Sequence, residues 1–304
     1  MRFLAWLLCL LLMVGYLHTA KACDACGCSI MYLNLGLTPR FQNHQVTLGW
    51  RHQSFVSYLD EASRRQGITG SRELFQQLEV QVQWRIHDRI RLVSAVPYSF
   101  LSRSLAEGEW TDAGLADPSF LSQFVLIDQD KAEDKVLRHR LSVGVGVRLP
   151  LGRSEGVQVA SQQVNFRLGT GSWAAIGYAQ YVLRHQRWGI SADILATKSG
   201  YNNDEYRYGD RWNSHLMLFG VFSKRKSGFM PSVGYYTEAA AKDIQRGFYR
   251  SDTGGSYGFV QAGMQFFRSS WSASLQYQLP VKQQWATGLT ESRSRLACLF
   301  TYYL

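Results

Sequence analysis

Three cysteines stand close together near the start of the chain, at Cys23, Cys26 and Cys28. Thiolates at this spacing can share a soft metal ion such as Cu(I) or zinc, because both ions bind sulfur ligands well. One alternative is a disulfide formed in an oxidising compartment, which would leave one of the three thiols over. Another is lipidation of Cys23, although Lys21 fits that signal poorly. The sequence therefore identifies three candidate metal ligands and leaves these alternatives open.

A second set of chemically capable residues consists of arginines on the polar face of predicted strands. In one such strand apolar side chains alternate with Arg138, Arg140 and Arg148, which places the three arginines on the same face. Arg51 and Arg85 take equivalent positions in earlier strands. A dry core would have to supply a partner for each guanidinium group, whereas a wet lumen would solvate it. The pattern predicts that these five arginines face a lumen and select its solutes by charge.

The segment from Leu74 to Ile86 shows most clearly what kind of element carries these side chains. From Leu78 onward every second residue is apolar, and the residues between them are glutamine, glutamate or arginine. A period of two kept up for this long is typical of a strand between lipid and water, because strands of soluble proteins are usually about five or six residues long. The same pattern ends the chain, where the final apolar face comprises Leu296, Cys298, Phe300, Tyr302 and Leu304.

About twelve such segments follow residue 44, and short and long connections alternate between them. Short connections include residues 87–89 and 184–187, and long polar ones include residues 60–70 and 198–211. Barrels of the bacterial outer membrane place short turns in the periplasm and long loops outside. We therefore predict an all-β fold, an antiparallel transmembrane barrel of about twelve strands over residues 44–304, in the outer membrane of a bacterial cell.

The segment before the barrel has the pattern of a secretory signal peptide. Arg2 is followed by an apolar run from Phe3 to Val14 and by the cleavage pattern Ala20-Lys21-Ala22. The apolar run is shorter than the roughly twenty residues that a transmembrane helix needs. We therefore expect residues 1–22 to be removed, and residues 23–43 to form a Cys-rich periplasmic or plug segment.

The composition agrees with a barrel. Hydrophobic residues make up 46% of the chain and the mean hydropathy is −0.19, as expected when a lipid-facing surface is divided among alternating positions. Aromatic residues reach 13%, which suits the interfacial girdles of such barrels. The net charge of +10 is spread through strands and turns rather than clustered, so we expect no nucleic-acid partner.

Residues 152–156 match the Gly-x-Ser-x-Gly pattern of hydrolase nucleophiles. That motif functions on a sharp turn between a strand and a helix. Here it falls in a long loop with no helical pattern after it, so we expect neither catalytic residues nor an enzyme.

Three short glycine-rich motifs resemble those of a known group of proteins. They are Gly-Leu-Ala-Asp-Pro at 114–118, Leu-Pro-Leu-Gly at 149–152 and Leu-Gly-Thr-Gly-Ser-Trp at 168–173. The group comprises the outer-membrane barrels assigned to the MetA pathway of phenol degradation, often called transporters, and the resemblance covers most of the chain after about residue 45. Ala116 stands where that group usually has glycine, and Leu151 where it often has threonine. The resemblance implies a barrel, and through it a transport role.

The function expected from these observations is passive passage of a small anionic or aromatic solute through the outer membrane. The expected partners are outer-membrane lipid and lipopolysaccharide, the barrel-assembly machinery and the solute itself. Two alternatives remain. One is a non-transporting outer-membrane protein whose Cys-rich segment binds Cu(I) or zinc, and the other is a barrel enzyme.

Overall fold

The computed structural model describes residues 44–106, 108–129, 136–154, 167–224 and 226–304. In these residues twelve long antiparallel strands form one closed sheet. They are β1 (Gln45–Ser57), β2 (Ser71–His87), β3 (Ile90–Leu105), β4 (Ser119–Asp128), β5 (Leu137–Arg148), β6 (Ala174–His185), β7 (Trp188–Ser199), β8 (Arg211–Gly220), β9 (Ser227–Ala240), β10 (Gly255–Arg268), β11 (Trp271–Trp285) and β12 (Arg295–Tyr303). The expected signal peptide and the segment 23–43 lie outside the described residues and stay predictions.

Strand β12 closes the barrel by pairing with β1. Gln45 lies opposite Tyr303, and His52 lies opposite Leu296, with continuous antiparallel register between the two pairs. Closure leaves neither edge of the described twelve-strand sheet unpaired, which a sheet in lipid requires because nothing in the bilayer core can satisfy exposed backbone groups. The predicted fold, an all-β antiparallel barrel of about twelve strands, is therefore confirmed.

Shorter elements extend the barrel at the end that carries the long loops, which we call the long-loop end. A strand at Gly108–Leu115 pairs with the second half of β3, whereas β4 pairs with its first half. A helix, α1, spans Glu61–Gln66 and is capped by Asp60, whose side chain accepts a hydrogen bond of 2.7 Å from the Ser63 N–H. The remaining short elements at this end are a 3₁₀ helix at Ala286–Gly288 and strands at Tyr206–Arg207, Ile244–Gln245, Phe248–Tyr249 and Thr290–Ser292, whereas the strand Phe222–Lys224 belongs to a short turn at the opposite end. No helix among the described residues is long and apolar enough to cross a membrane.

The outer face of the barrel is apolar and exposed. Leu48 lies opposite both Val80 and Phe300 on the neighbouring strands, and all three side chains point away from the lumen into the surroundings. Exposed aromatic side chains flank this surface near the short turns and near the long loops, and they include Trp84, Trp188, Tyr302, Tyr98, Phe100, Trp173 and Trp212. An apolar belt between two aromatic girdles is the lipid-facing surface of an outer-membrane barrel. The protein is therefore a bacterial outer-membrane barrel.

The lipid-facing assignment predicts a depth-dependent cost for an added charge. Val80→Arg should destabilise the barrel by about 2–4 kcal/mol, because it places a guanidinium near the middle of the apolar belt. Gln76→Arg is the matched control, since it changes the same strand and face nearer the long-loop end, where the cost should fall to about 0–1 kcal/mol. Urea unfolding in lipid vesicles measures both free energies. Equal stability of the two variants would contradict the assignment.

Candidate functional site in the barrel lumen

The lumen is lined by different chemistry at different depths. Toward the short turns its wall is mainly amide and hydroxyl side chains. The buried glutamines there are Gln45, Gln81, Gln83, Gln123, Gln180, Gln261, Gln265, Gln276 and Gln278. They bond across neighbouring strands, as in the 2.8 Å contact from Gln278 Nε2 to Gln261 Oε1. This part of the lumen is therefore filled by polar side chains that are themselves largely shielded from solvent.

Two ion pairs lie in the wall on either side of Phe75, with Glu79 of β2 toward the short turns and Glu73 toward the long loops. Arg51 donates to Glu79 at 3.0 Å, and Arg103 lies 2.8 Å from Glu73. Both pairs join neighbouring strands, and all four side chains are almost fully buried. Breaking one partner from such a pair is costly because it leaves a buried charge uncompensated. These pairs therefore fix the positions of the two arginines in the wall.

A third ion pair links strands that are not neighbours. Arg295 of β12 lies 2.5 Å from Glu238 of β9, although β10 and β11 separate those strands in the sheet. Its guanidinium carbon also sits over aromatic rings, 4.1 Å from the Phe259 centroid and 5.5 Å from that of Phe55. A guanidinium group binds favourably to the face of an aromatic ring. Arg295 therefore joins an ion pair to the buried aromatic side chains at the long-loop end.

Buried aromatic side chains fill the lumen at the long-loop end. We call this group the aromatic layer, and it comprises Phe55, Phe75, Tyr236, Tyr257, Phe259 and Trp285, packed with Leu101 and Leu168. The Tyr257 and Trp285 rings stack with centroids 4.6 Å apart. Leu168 does not belong to a strand but to the loop between β5 and β6, so part of that loop enters the barrel. The aromatic layer narrows the lumen on the side of the long loops.

Asp117 holds the inward loop in place. Its Oδ1 accepts a 3.0 Å hydrogen bond from the Gly152 N–H, and its Oδ2 accepts bonds of 2.8 and 2.6 Å from the N–H and hydroxyl of Thr170. The two chain segments approach so closely that a Cβ added to Gly152 would lie 2.9 Å from the Gly169 Cα. The three glycine-rich motifs of the sequence thus meet at one carboxylate. Their structural role is to clamp both ends of the β5–β6 loop to the barrel.

Asp243 ties two of the other long loops together. Its carboxylate accepts hydrogen bonds from the Tyr206 hydroxyl and, at 2.7 Å, from the Gly209 N–H. Burial raises the pKa of Asp243, and the two hydrogen bonds oppose that rise. The loop between β7 and β8 is thereby tied to the loop between β9 and β10.

The five arginines predicted to line the lumen fall into two groups. Arg51, Arg140 and Arg148 are buried inside the barrel. The Arg85 side chain is 38% exposed and lies 3.9 Å from Asp88 in a short turn, and Arg138 is half-buried near the same end. Their role in selectivity stays a prediction. Cys23, Cys26 and Cys28 lie outside the described residues, so their binding of Cu(I) or zinc stays a prediction too.

Sequence reasoning missed Asp117, Glu238, Arg295 and the aromatic layer. One signal for the aromatic layer is present in the sequence, at Leu74-Phe75-Gln76-Gln77. Phe75 is an apolar residue on the otherwise polar face of β2, and Gln76 is a polar residue on the apolar face. This local inversion marks the point where the strand leaves the membrane and begins to enclose an apolar interior. No comparable local signal pairs Arg295 with Glu238.

Two small cavities open beside Arg51. One encloses about 30 Å³ and reaches from Arg51 to Arg148 and Leu168. The other encloses about 20 Å³ and reaches from Arg51 to Gln278 and Arg295. Each has room for only one or two water molecules. The described part of the lumen is therefore narrow at the level of the ion pairs.

Comparison with known proteins supports the fold. No protein-family model matches the chain and no curated protein matches it, so the resemblance to the MetA-pathway barrels stays a prediction. A solved structure described as the COG4313 outer membrane channel from Pseudomonas putida F1 matches with a TM-score of 0.61 and 15% identity, over 86% of this chain and 96% of that one. The NanC porin structure matches with a TM-score of 0.43 and 8% identity, over 86% of this chain and 100% of that one. The β domain of the Bordetella autotransporter BrkA matches with a TM-score of 0.45 and 11% identity, over 86% and 100%.

Proposed function

We propose that this barrel mediates passive passage of a small anionic or aromatic solute through the outer membrane. The observation that carries the proposal is the charge of the lumen wall. The buried arginines of the described strands are Arg51, Arg91, Arg103, Arg140, Arg148 and Arg295, whereas their buried carboxylates are Glu73 and Glu79. A positive wall in a low-dielectric cylinder concentrates anions and repels cations. This excess of buried positive charge supports an anion-preferring passage.

Two further features agree with transport of small molecules. The fold is shared with a protein described as an outer membrane channel. The number of strands also lies between that of filled barrels of about eight strands and that of open porins of about sixteen. Because the aromatic layer and the ion pairs narrow the lumen, the passage is suited to single small solutes rather than to bulk diffusion.

The charge of the wall predicts the ion selectivity of the channel. Changing both Arg140 and Arg148 to glutamine should shift the reversal potential toward cations in planar bilayers under a salt gradient. The reason is that two buried cationic groups leave the lumen while its polar character is kept. Arg187→Gln, which removes an exposed arginine from a short turn, is the control and should leave the reversal potential unchanged. A double variant that conducts like the wild type would remove these residues from the selectivity mechanism.

A further inference from the structure

The larger of the two cavities has the composition of a binding site for an anion with an apolar part. Its polar side is lined by Arg51, Arg148 and Arg167, and its apolar side by Phe75 and Leu168. Strands β1, β2, β3 and β5 provide most of this wall, and the inward loop held by Asp117 provides the rest. The cavity is therefore built from the barrel and the clamped loop together.

Arg148 supplies a buried positive charge on the polar side of the cavity. It is 2% exposed, and its Nε is buried without a hydrogen-bond partner among the described residues. No carboxylate in the described part of the chain forms an ion pair with it. Burying a guanidinium group is unfavourable unless water or an anion compensates its charge. The cavity that Arg148 lines is the place where such a partner can bind.

The carboxylates near the cavity are already committed to other groups. Glu79 accepts from Arg51 at 3.0 Å. Asp117 also lines the cavity, but both of its oxygens accept hydrogen bonds from Gly152 and Thr170. Arg167 is 3.5 Å from Asp204 and is partly exposed. The cavity therefore keeps an excess of positive charge, centred on Arg148.

We propose that this cavity binds the carboxylate of a small organic acid, with Arg148 as its principal partner. The proposal rests on the proposed function and adds a defined binding subsite to it. A guanidinium group presents parallel N–H donors that match the two oxygens of a carboxylate. About 30 Å³ accommodates the carboxylate group alone, so the remainder of the acid lies in the lumen outside the cavity, on the apolar side lined by Phe75 and Leu168. Passage of such acids is then saturable rather than simply diffusive.

Calorimetric titration of the purified full chain in detergent tests the site, with benzoate as the probe. Benzyl alcohol and benzylamine are the neutral and cationic comparators. Benzoate should bind with a measurable Kd, and the two comparators should not. Arg148→Gln should weaken benzoate binding about tenfold or more, the usual effect of losing a charge-assisted hydrogen bond. Arg187→Gln, with the same change of charge at a distant turn, should leave the Kd unchanged.

A second variant predicts an effect of the opposite sign. Glu79→Gln removes a negative charge 3.0 Å from Arg51, so the positive potential at the cavity rises. Benzoate should then bind more tightly than in the wild type. If the charged side chains around the cavity only stabilise the barrel, benzoate binding will be weaker or absent in this variant, which would contradict the proposal. Heat-modifiable migration on gels establishes that each variant is folded.

The result that overturns the proposal is an equal Kd for benzoate in wild type and Arg148→Gln, or binding of benzyl alcohol as tight as that of benzoate. Inorganic phosphate binding more tightly than benzoate would also overturn the assignment to carboxylates. Flux of benzoate into proteoliposomes separates this failure from failure of the proposed function. Benzoate flux that does not saturate in the wild type would contradict the binding site but agree with the proposed function. Absence of benzoate flux would contradict the proposed function itself.

Discussion

Replacing Asp117 with alanine should release the inward loop, raise the conductance of the barrel and lower its thermal stability. The substitution leaves three buried donors without an acceptor, namely the N–H groups of Gly152 and Thr170 and the hydroxyl of Thr170. Each unsatisfied donor costs about 1–3 kcal/mol, so we expect both ends of the β5–β6 loop to detach from the barrel. Leu168 then leaves the aromatic layer with the loop. Single-channel recording and thermal unfolding measure the two effects.

The control for this prediction is Asp252→Ala. Asp252 likewise accepts hydrogen bonds, but from the Arg250 guanidinium at 2.6 Å, and its side chain is 58% exposed in a loop. A surface pair of this kind contributes about 0–1 kcal/mol, so conductance and stability should both stay close to those of the wild type. If Asp117→Ala behaves like Asp252→Ala, the clamp does not hold the loop in the lumen.

The second large effect is expected from Phe259→Ala, which removes the centre of the aromatic layer. Phe259 is fully buried, and its ring lies 4.1 Å from the Arg295 guanidinium and 6.0 Å from the Tyr236 ring. Truncation of a buried phenylalanine typically costs about 3–5 kcal/mol. Because the layer narrows the lumen, we also expect the conductance to rise as Arg295 loses the ring that holds it.

Phe266→Ala is the matched control for this change. Phe266 lies on the same strand, β10, but its side chain is 56% exposed on the opposite face. Its removal should leave the conductance unaffected, because only the lipid-facing surface changes. An unchanged conductance in folded Phe259→Ala protein would show that the narrowest point of the lumen lies elsewhere.

The strand pattern of this protein can be predicted from the sequence. Alternation from Leu78 to Ile86 predicts which face of β2 meets lipid, because a side-chain period of two is a local property of extended backbone. The same reasoning places Phe300 outside and Arg148 inside, as the structure does. Alternation does not predict which side chains contact each other inside the lumen. It therefore predicts that Arg51 faces inward but not that Glu79 is its partner.

The sequence by itself determined the closed barrel, its number of strands and the polar character of its lumen. Each of these follows from requirements that every strand meets separately, namely an apolar face for lipid and a polar face for water. Only the tertiary structure decided that Asp117 clamps Gly152 to Thr170, that Arg295 reaches Glu238 from a distant strand, and that Arg148 borders a cavity in which no described carboxylate pairs with it. These contacts join residues far apart in the chain, and barrel closure and the path of the β5–β6 loop bring them together. Long-range hydrogen bonds and ion pairs depend on that three-dimensional approach, which no local periodicity encodes.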